Sequence, residues 1–399
     1  MFHQLEGSQA IARAVALCRP GVICAYPITP QTHIVEGVGE LVRDGHLEHC
    51  EFINVESEMA ALSVAIGSQA AGVRSYTATS SQGLLHMIEA VYNASGLELP
   101  LVMTLGNRAI GAPINIWNDH SDAMSVRDTG WIMLFAETNQ EAVDLHLQAF
   151  LIAEKVSCPV MVCVDGFILT HAYERVDIPS QEEVDEFLPP YTPRVSLDVD
   201  DPVAIGAMVS PDYFFEVRYL AHRRQMDSLE IICCVAESFW KKFGRDSGGL
   251  FHEYHTDGAE TIVVTLGSVA GTIKDVVDEL NASGEKFGVI ALTSYRPFPA
   301  DSLKNSLKNA ARAIVVEKAF AIGIGGILFQ EIELLMKNIN VKIVSVVAGI
   351  GGRSITKSML RECFLNKNSG ENVFLGLNED IVAKEYVPMK SHSCEGNVP

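Results

Sequence analysis

Positive charge is scarce in this chain: 30 Lys and Arg stand against 50 Asp and Glu, a formal net charge of −20 over 399 residues. A surface of that sign repels phosphate backbones and anionic bilayers, which excludes nucleic acid and membrane surfaces as natural partners. No apolar run reaches the length that spans a bilayer. The nine cysteines never occur in C-x-x-C spacing, so zinc-ribbon and iron–sulfur binding patterns are missing. Several lie in strand-like segments (VICAYP, PVMVCVDG, LEIICCVA), where a thiol acts as a small hydrophobe. The opening MFHQLEGSQAIARAV has neither the basic flank nor the apolar block of a secretory leader, so a cytoplasmic location with reduced thiols is expected. No early strand is followed by a G-x-G-x-x-G fingerprint, which removes a stand-alone nicotinamide-linked enzyme. Internal repeats and low-complexity tracts are missing as well.

What remains is an ordinary globular composition, 48% apolar and 20% charged, in a chain long enough for two cores. Short β-branched runs (GVICAYP, EFINV, VRSYTAT, LPLVMTLGN, PVMVCVDGF) alternate with helical patterns such as SEMAALSVAIGSQAAG and NQEAVDLHLQAFLIAEKV. That alternation predicts an α/β architecture with a mostly parallel sheet. The expected organisation is a first domain over residues 1–240, with an irregular Pro- and acid-rich connection at about 174–201. A long helical pattern precedes the Gly-rich break GRDSGGL, and a smaller α/β domain is expected over 255–385, with a tail at 386–399. In the second part KFGVIALTSYRPF reads as one strand.

Unusual residues collect where the early strands end: YPITPQT, NVESE, ATSSQG and GNRAIGAPINIWNDHSDAMSVRD. In open α/β sheets ligands bind beyond the carboxyl ends of the strands, so a site is expected at these loops. Each residue also has a plainer reading. Thr29 could shape a turn between Ile28 and Pro30. Glu56 and Glu58 flank Ser57, a good N-cap, and suit a helix dipole. Arg108 could bridge loops, although small neighbours leave room for a carboxylate to dock on its planar fork. Asp119, His120 and Asp122 look like metal ligands, but their loop spacing favours hydrogen bonds within the loop. The glycines of AIGIGG lack dinucleotide spacing, and AGIGGR reads as a tight turn with a domain-contact arginine, Arg353.

Together YPITPQT at 26–32, VESE at 55–58, SQG at 81–83, NRA at 107–109 and APINIWNDHSDAMSVRDTGW at 112–131 resemble the alpha subunits of 2-oxoacid:ferredoxin oxidoreductases, the pyruvate branch most closely. QEAVDLHLQAFLIAE, PVMVCVDGFILTH, LGSVAGTIKDVVDEL, YRPFP and GIGGR extend the likeness over most of the chain. The resemblance implies a pyrimidine-type thiamine diphosphate domain followed by a transketolase-C-terminal-like domain. It implies that Glu58 hydrogen-bonds the aminopyrimidine, that Thr29 and Arg108 hold the substrate, and that Tyr26, Pro27, Ser81 and Gln82 line the cofactor. It further implies that the cofactor is shared with a beta subunit, which carries the diphosphate and Mg²⁺ site. Iron–sulfur clusters (4Fe-4S) would lie on the beta and delta partner subunits, with a gamma subunit, ferredoxin, pyruvate and coenzyme A as further partners. Gln31-Thr32 departs from the two serines of single-chain members and reads as branch variation. Alternatives are a branched-chain or aromatic 2-oxoacid enzyme and, from another class, a non-catalytic scaffold subunit.

Overall fold

A computed structural model describes residues 2–366 and 372–386. The tail expected at 386–399 falls, after residue 386, outside the described residues. A seven-stranded sheet runs in the order Ser294–Arg296, Ile132–Phe135, Val160–Asp165, Val102–Asn107, Ser75–Thr79, Val22–Ala25, Glu51–Asn54. Its strands are parallel except Ser294–Arg296. The central strands Ser75–Thr79, Val102–Asn107 and Val160–Asp165 are buried along their whole length, as expected of a parallel sheet covered on both faces. The helix Asn139–Val156 packs against the strand Val160–Asp165 and is buried over most of its length. It starts where the Thr138 hydroxyl accepts a hydrogen bond from the Glu141 amide at 3.1 Å and stops at Ser157 in the left-handed conformation.

A second sheet of six strands runs Asn372–Phe374, Lys342–Val347, Arg312–Glu317, Thr261–Leu266, Phe287–Leu292, Phe251–Tyr254. Its last strand alone is antiparallel. The two sheets share a core. Met133, Phe135, Met161 and Cys163 of the first belong to one buried cluster with Ile262, Leu266, Ile290 and Val315 of the second. The run KFGVIALTSYRPF is divided at Thr293: Phe287–Leu292 stays in the second sheet, whereas Ser294–Arg296 crosses to pair with Ile132–Phe135 of the first. Phe135 seals the crossing by donating its amide to the Thr293 carbonyl at 2.7 Å.

The stretch 174–201 is only partly irregular. Tyr173–Asp177 is a strand that pairs antiparallel with Phe2–Glu6, and Gln181–Phe187 is a helix. That helix begins at a reciprocal cap, with Ser180 Oγ accepting from the Glu183 amide and Glu183 returning a carboxylate to the Ser180 amide at 2.8 Å. The long helix spans Pro211–Phe243, and its buried residues (Ser228, Ile232, Val235, Phe239) all lie in its second half.

Glu317 ends a strand of the second sheet and accepts the first three amides of the helix Ile327–Met336, from Ile327, Leu328 and Phe329, at 2.8, 2.9 and 3.1 Å. Burial nonetheless pushes its carboxyl up to about 7, against the pull of those amides. A carboxyl raised in the folded state binds protons more tightly than in the unfolded chain, so its contribution to stability falls as pH rises from 4.5 to about 7. Glu317→Gln is therefore expected to flatten the decline in melting temperature across that window. An unchanged pH slope in thermal scans would refute this account of Glu317.

Candidate functional site

Four loops leave the carboxyl ends of neighbouring strands of the first sheet and meet on one face. Glu58 opens the helix Glu58–Ala70, whose cap is Ser57: its hydroxyl accepts from the Ala60 amide at 3.2 Å. Glu56 is exposed and Glu58 is 7% exposed, so the two acids of ESE part company at the cap. Glu58 Oε2 lies 3.1 Å from Nδ1 of His86, while its Oε1 carries no protein hydrogen bond among the described residues. Gly83 packs directly on this carboxylate. A Cβ there would come within 2.8 Å of Glu58 Oε1 and 2.6 Å of Thr79 Oγ1, so any side chain would displace the acid.

Thr29 is exposed and its backbone carbonyl accepts from Arg108 Nη1 at 2.9 Å. Arg108 Nε donates to the Asn115 carbonyl at 3.2 Å. The guanidinium is thus pinned by two carbonyls, and Nη2 has no protein partner among the described residues. Burial lowers the Arg108 pKa, with Asp122 opposing, but an arginine stays charged throughout the working range. Tyr26 and Pro27 are exposed beside Thr29. The loop behind them is held by Gln31, fully buried, whose amide donates to the carbonyls of Tyr26 and Ala78 at 2.9 and 3.2 Å.

Asp122 draws these pieces together. Its Oδ2 accepts the backbone amides of Ser81 and Arg108 at 3.0 and 2.9 Å, and its Oδ1 accepts from the Asn107 side chain and the Ala123 amide at 3.0 and 2.8 Å. Ser81, at φ 47°, completes the tie by donating its hydroxyl to the Ala109 carbonyl at 2.6 Å and lying 2.5 Å from Gln82 Oε1. Burial pushes the Asp122 carboxyl up to about 7 despite its donors. Asp122 therefore fixes SQG against NRA, reaching Ser81 across 41 residues of sequence, beyond the hydrogen bonds expected within its own loop. Asp119 is likewise divided. Oδ1 accepts from the amide and hydroxyl of Ser121 at 2.9 and 2.6 Å, while Oδ2 accepts the Gly351 amide of the second sheet's loop at 3.0 Å.

A buried polar seam joins the two sheets directly behind the site. Asp165 (1% exposed) lies 2.6 Å from Nε2 of His120 and 3.0 Å from Nζ of Lys318, and accepts the amide and hydroxyl of Ser268. Lys318 also donates to Asn118. Burial favours the protonated carboxyl, but Lys318 and then His120 hold Asp165 well below the carboxylate range. The AGIGGR turn contributes its backbone here: Gly351 bonds Asp119 and accepts from the Asn115 side chain at 3.1 Å, whereas the Arg353 side chain donates to the Gly376 carbonyl. Between the sheets, bordered by Trp117, Asn118, Phe167, Lys318 and Arg353, lies a cavity of about 380 Å³.

An acid, an arginine and a threonine thus stand at the carboxyl edge of the first sheet, the place where open α/β sheets bind ligands. Comparison with known proteins narrows this further. Residues 13–234 match the family described as pyruvate flavodoxin/ferredoxin oxidoreductase, thiamine diphosphate-binding, and residues 259–360 match pyruvate:ferredoxin oxidoreductase core domain II. Pyruvate synthase subunit PorA of Methanosarcina barkeri is 45% identical over 390 residues, 95% of this chain and 97% of that one. The same subunit of Methanothermobacter thermautotrophicus is 43% identical over 94% of this chain and 98% of its own length. Ketoisovalerate oxidoreductase subunit VorA of Pyrococcus abyssi is 40% identical over 89% of this chain and 90% of its own. Among solved structures, a 2-oxoglutarate:ferredoxin oxidoreductase from Magnetococcus marinus superposes with a TM-score of 0.68 at 19% identity, covering 91% of this chain and 64% of that one, which establishes the shared fold. This chain belongs to the pyruvate:ferredoxin oxidoreductase family, whose members are thiamine diphosphate enzymes.

Proposed function

We propose that the chain is the alpha subunit of a pyruvate:ferredoxin oxidoreductase, converting pyruvate and coenzyme A to acetyl-CoA and CO₂ while two electrons pass to ferredoxin, reversibly. The observation that carries this reading is that Arg108, bonded to the Thr29 carbonyl, and Glu58, packed under Gly83, both stand at carboxyl ends of strands of the first sheet. Asp122 ties the Arg108 loop to Ser81 at the start of the Gly83 helix. That face is open and rimmed by exposed apolar side chains: Ile114, Ile116, Trp117 and Ile168. Apolar surface gathered around polar machinery marks an interaction surface. It supports a site completed by a beta subunit that brings the diphosphate and Mg²⁺ contacts, with iron–sulfur clusters on partner subunits among beta, gamma and delta. The free half of the long helix exposes Tyr213, Phe214, Phe215 and Leu220, a further surface suited to assembly.

The residues present fit thiamine diphosphate: Glu58 offers an unpaired oxygen beside a cradle that only glycine leaves open. Bound there, the cofactor supplies a nucleophilic carbon and an electron sink. Glu58 would hold a proton at its carboxyl oxygen against the ring. Arg108 would grip the substrate carboxylate through Nη2 and the second N–H of Nη1, since Nε is held by the Asn115 carbonyl and the other Nη1 N–H by that of Thr29. The Thr29 hydroxyl would bond a substrate oxygen, its backbone position set by the same arginine. Ser81 and Gln82, tied to Ala109, would close the wall beside the cofactor, with Tyr26 and Pro27 at the rim.

The test is an anaerobic assay of the assembled complex, following ferredoxin reduction with coenzyme A across pyruvate, 2-oxoisovalerate, phenylpyruvate and 2-oxoglutarate. Pyruvate preference is expected, and Arg108→Lys should raise its KM by about 100-fold, because an ammonium cannot reproduce the two-pronged grip. Preference for 2-oxoisovalerate would move the substrate to that of the VorA relative and keep the site. Turnover with no acid would leave a scaffold subunit.

A further inference from the structure

Away from Glu58 and Arg108, three ligand-type side chains meet where nothing in the proposed reaction uses them. Glu6 ends the strand Phe2–Glu6, His33 sits in the first turn of the helix Thr32–Arg43, and His171 precedes the strand Tyr173–Asp177. One ligand atom from each lies within 4.8 Å of the others, and Glu6 Oε1 is 2.6 Å from His33 Nδ1. We propose that Glu6, His33 and His171 form a binding site for one first-row divalent metal ion of the zinc type. Two imidazoles and one carboxylate are a donor set for zinc or its neighbours, whereas magnesium and calcium prefer oxygen throughout.

The backbone brings the three together from sequence positions up to 165 apart and leaves them little freedom. The antiparallel ladder sets Glu6 opposite Tyr173, and the Gly7 and Ser8 amides donate to the carbonyls of Ala172 and Thr170 at 3.0 and 2.8 Å. His171 is thereby fixed beside Glu6. The helix Gly7–Leu17 packs on the helix Thr32–Arg43, and Gln9 donates to the His33 carbonyl at 3.3 Å. An outer partner is also in place: Thr170 Oγ1 lies 2.8 Å from His171 Nδ1 and itself accepts the Phe167 amide at 2.8 Å, so Nε2 is the His171 nitrogen left for a metal. His33 is 44% exposed and Glu6 13%, so an ion can enter from solvent and keep a water as its fourth ligand.

The position gives the ion a part to play. His33 lies four residues beyond Thr29, and the rings of His33, His171, Phe167 and Trp117 follow one another at centroid distances of 4.8, 4.7 and 4.8 Å. A metal holding His33 and His171 braces the Thr29 loop and, through Phe167, the Trp117 rim.

The untagged full-length chain, stripped with chelator, is titrated with ZnCl₂ by calorimetry and scanned thermally with and without zinc. Wild type is expected to bind one equivalent and melt higher when loaded. His171→Ala and His33→Ala should each weaken binding by about tenfold or more, while the double variant Cys233→Ser/Cys234→Ser, which removes two exposed thiols, should bind as wild type. The proposal is overturned by wild type that takes up no zinc, by undiminished binding in both histidine variants, or by binding lost with the thiols.

Discussion

Glu58→Gln is expected to lower kcat of the assembled complex by a factor of about 10² to 10⁴, the usual range for a positioned proton-handling group. The substitution keeps shape and volume, so the amide still fits beneath Gly83, where a Cβ would approach the acid within 2.8 Å. What it removes is an oxygen able to hold and release a proton. Folding should hardly notice, since the partner of Glu58 in the chain is His86, itself 57% exposed, and surface pairs of that kind contribute little. Thiamine diphosphate affinity should likewise change far less than kcat, which separates loss of proton handling from loss of the cofactor. Steady-state rates, cofactor titration and a thermal scan on the same preparation decide the matter. A kcat within threefold of wild type would remove Glu58 from the chemistry and leave it as a helix-start acid.

The loops of the site were legible in sequence because each follows a strand-like run that alternates with a helical pattern, three of those strands being buried along most or all of their length. The residues that hold the loops together were not. Asp122 earns its place by reaching Ser81 and Arg108, and Asp165 by reaching Lys318 at a separation of 153 residues. Local periodicity carries no trace of such pairings, so NDHSD looked like a self-contained loop. The strand Tyr173–Asp177 escaped notice for a related reason. Its partner Phe2–Glu6 lies at the start of the chain, and its single buried residue, Val176, leaves no alternation of apolar and polar side chains to read. KFGVIALTSYRPF has the opposite problem. Both halves are largely buried, and only the presence of the first sheet's edge strand Ile132–Phe135 to receive Ser294–Arg296 reveals the break. The Glu6, His33 and His171 cluster combines both difficulties, being distant in sequence and anchored on that same unread strand.

Lys318→Met should destabilise the chain by about 3–5 kcal/mol, because it strands the Asp165 carboxylate without its cation in the buried seam between the sheets. Lys318 is 3% exposed and Asp165 1%, so water cannot take over the lost partner. His120 and Ser268 remain as hydrogen-bond partners of the carboxylate. The dependence on pH has a definite sign. Asp165 is held well below 3.8, so its ionised form stabilises the fold at every pH above that value, and this contribution is lost as acid protonates it. The gap between wild type and variant should be full at pH 7 and shrink below pH 3.8. Removing both charges together, in Lys318→Met/Asp165→Asn, should recover part of the loss, since a neutral amide is less costly to bury unpaired than a carboxylate. Urea unfolding of the three proteins at neutral and acid pH measures each of these differences. A loss below about 1 kcal/mol at pH 7, the level of an exposed pair, or a gap that widens in acid, would mean that the seam is held by the shared apolar core of Phe135, Met161, Leu266 and Val315 and that the ions merely accompany it.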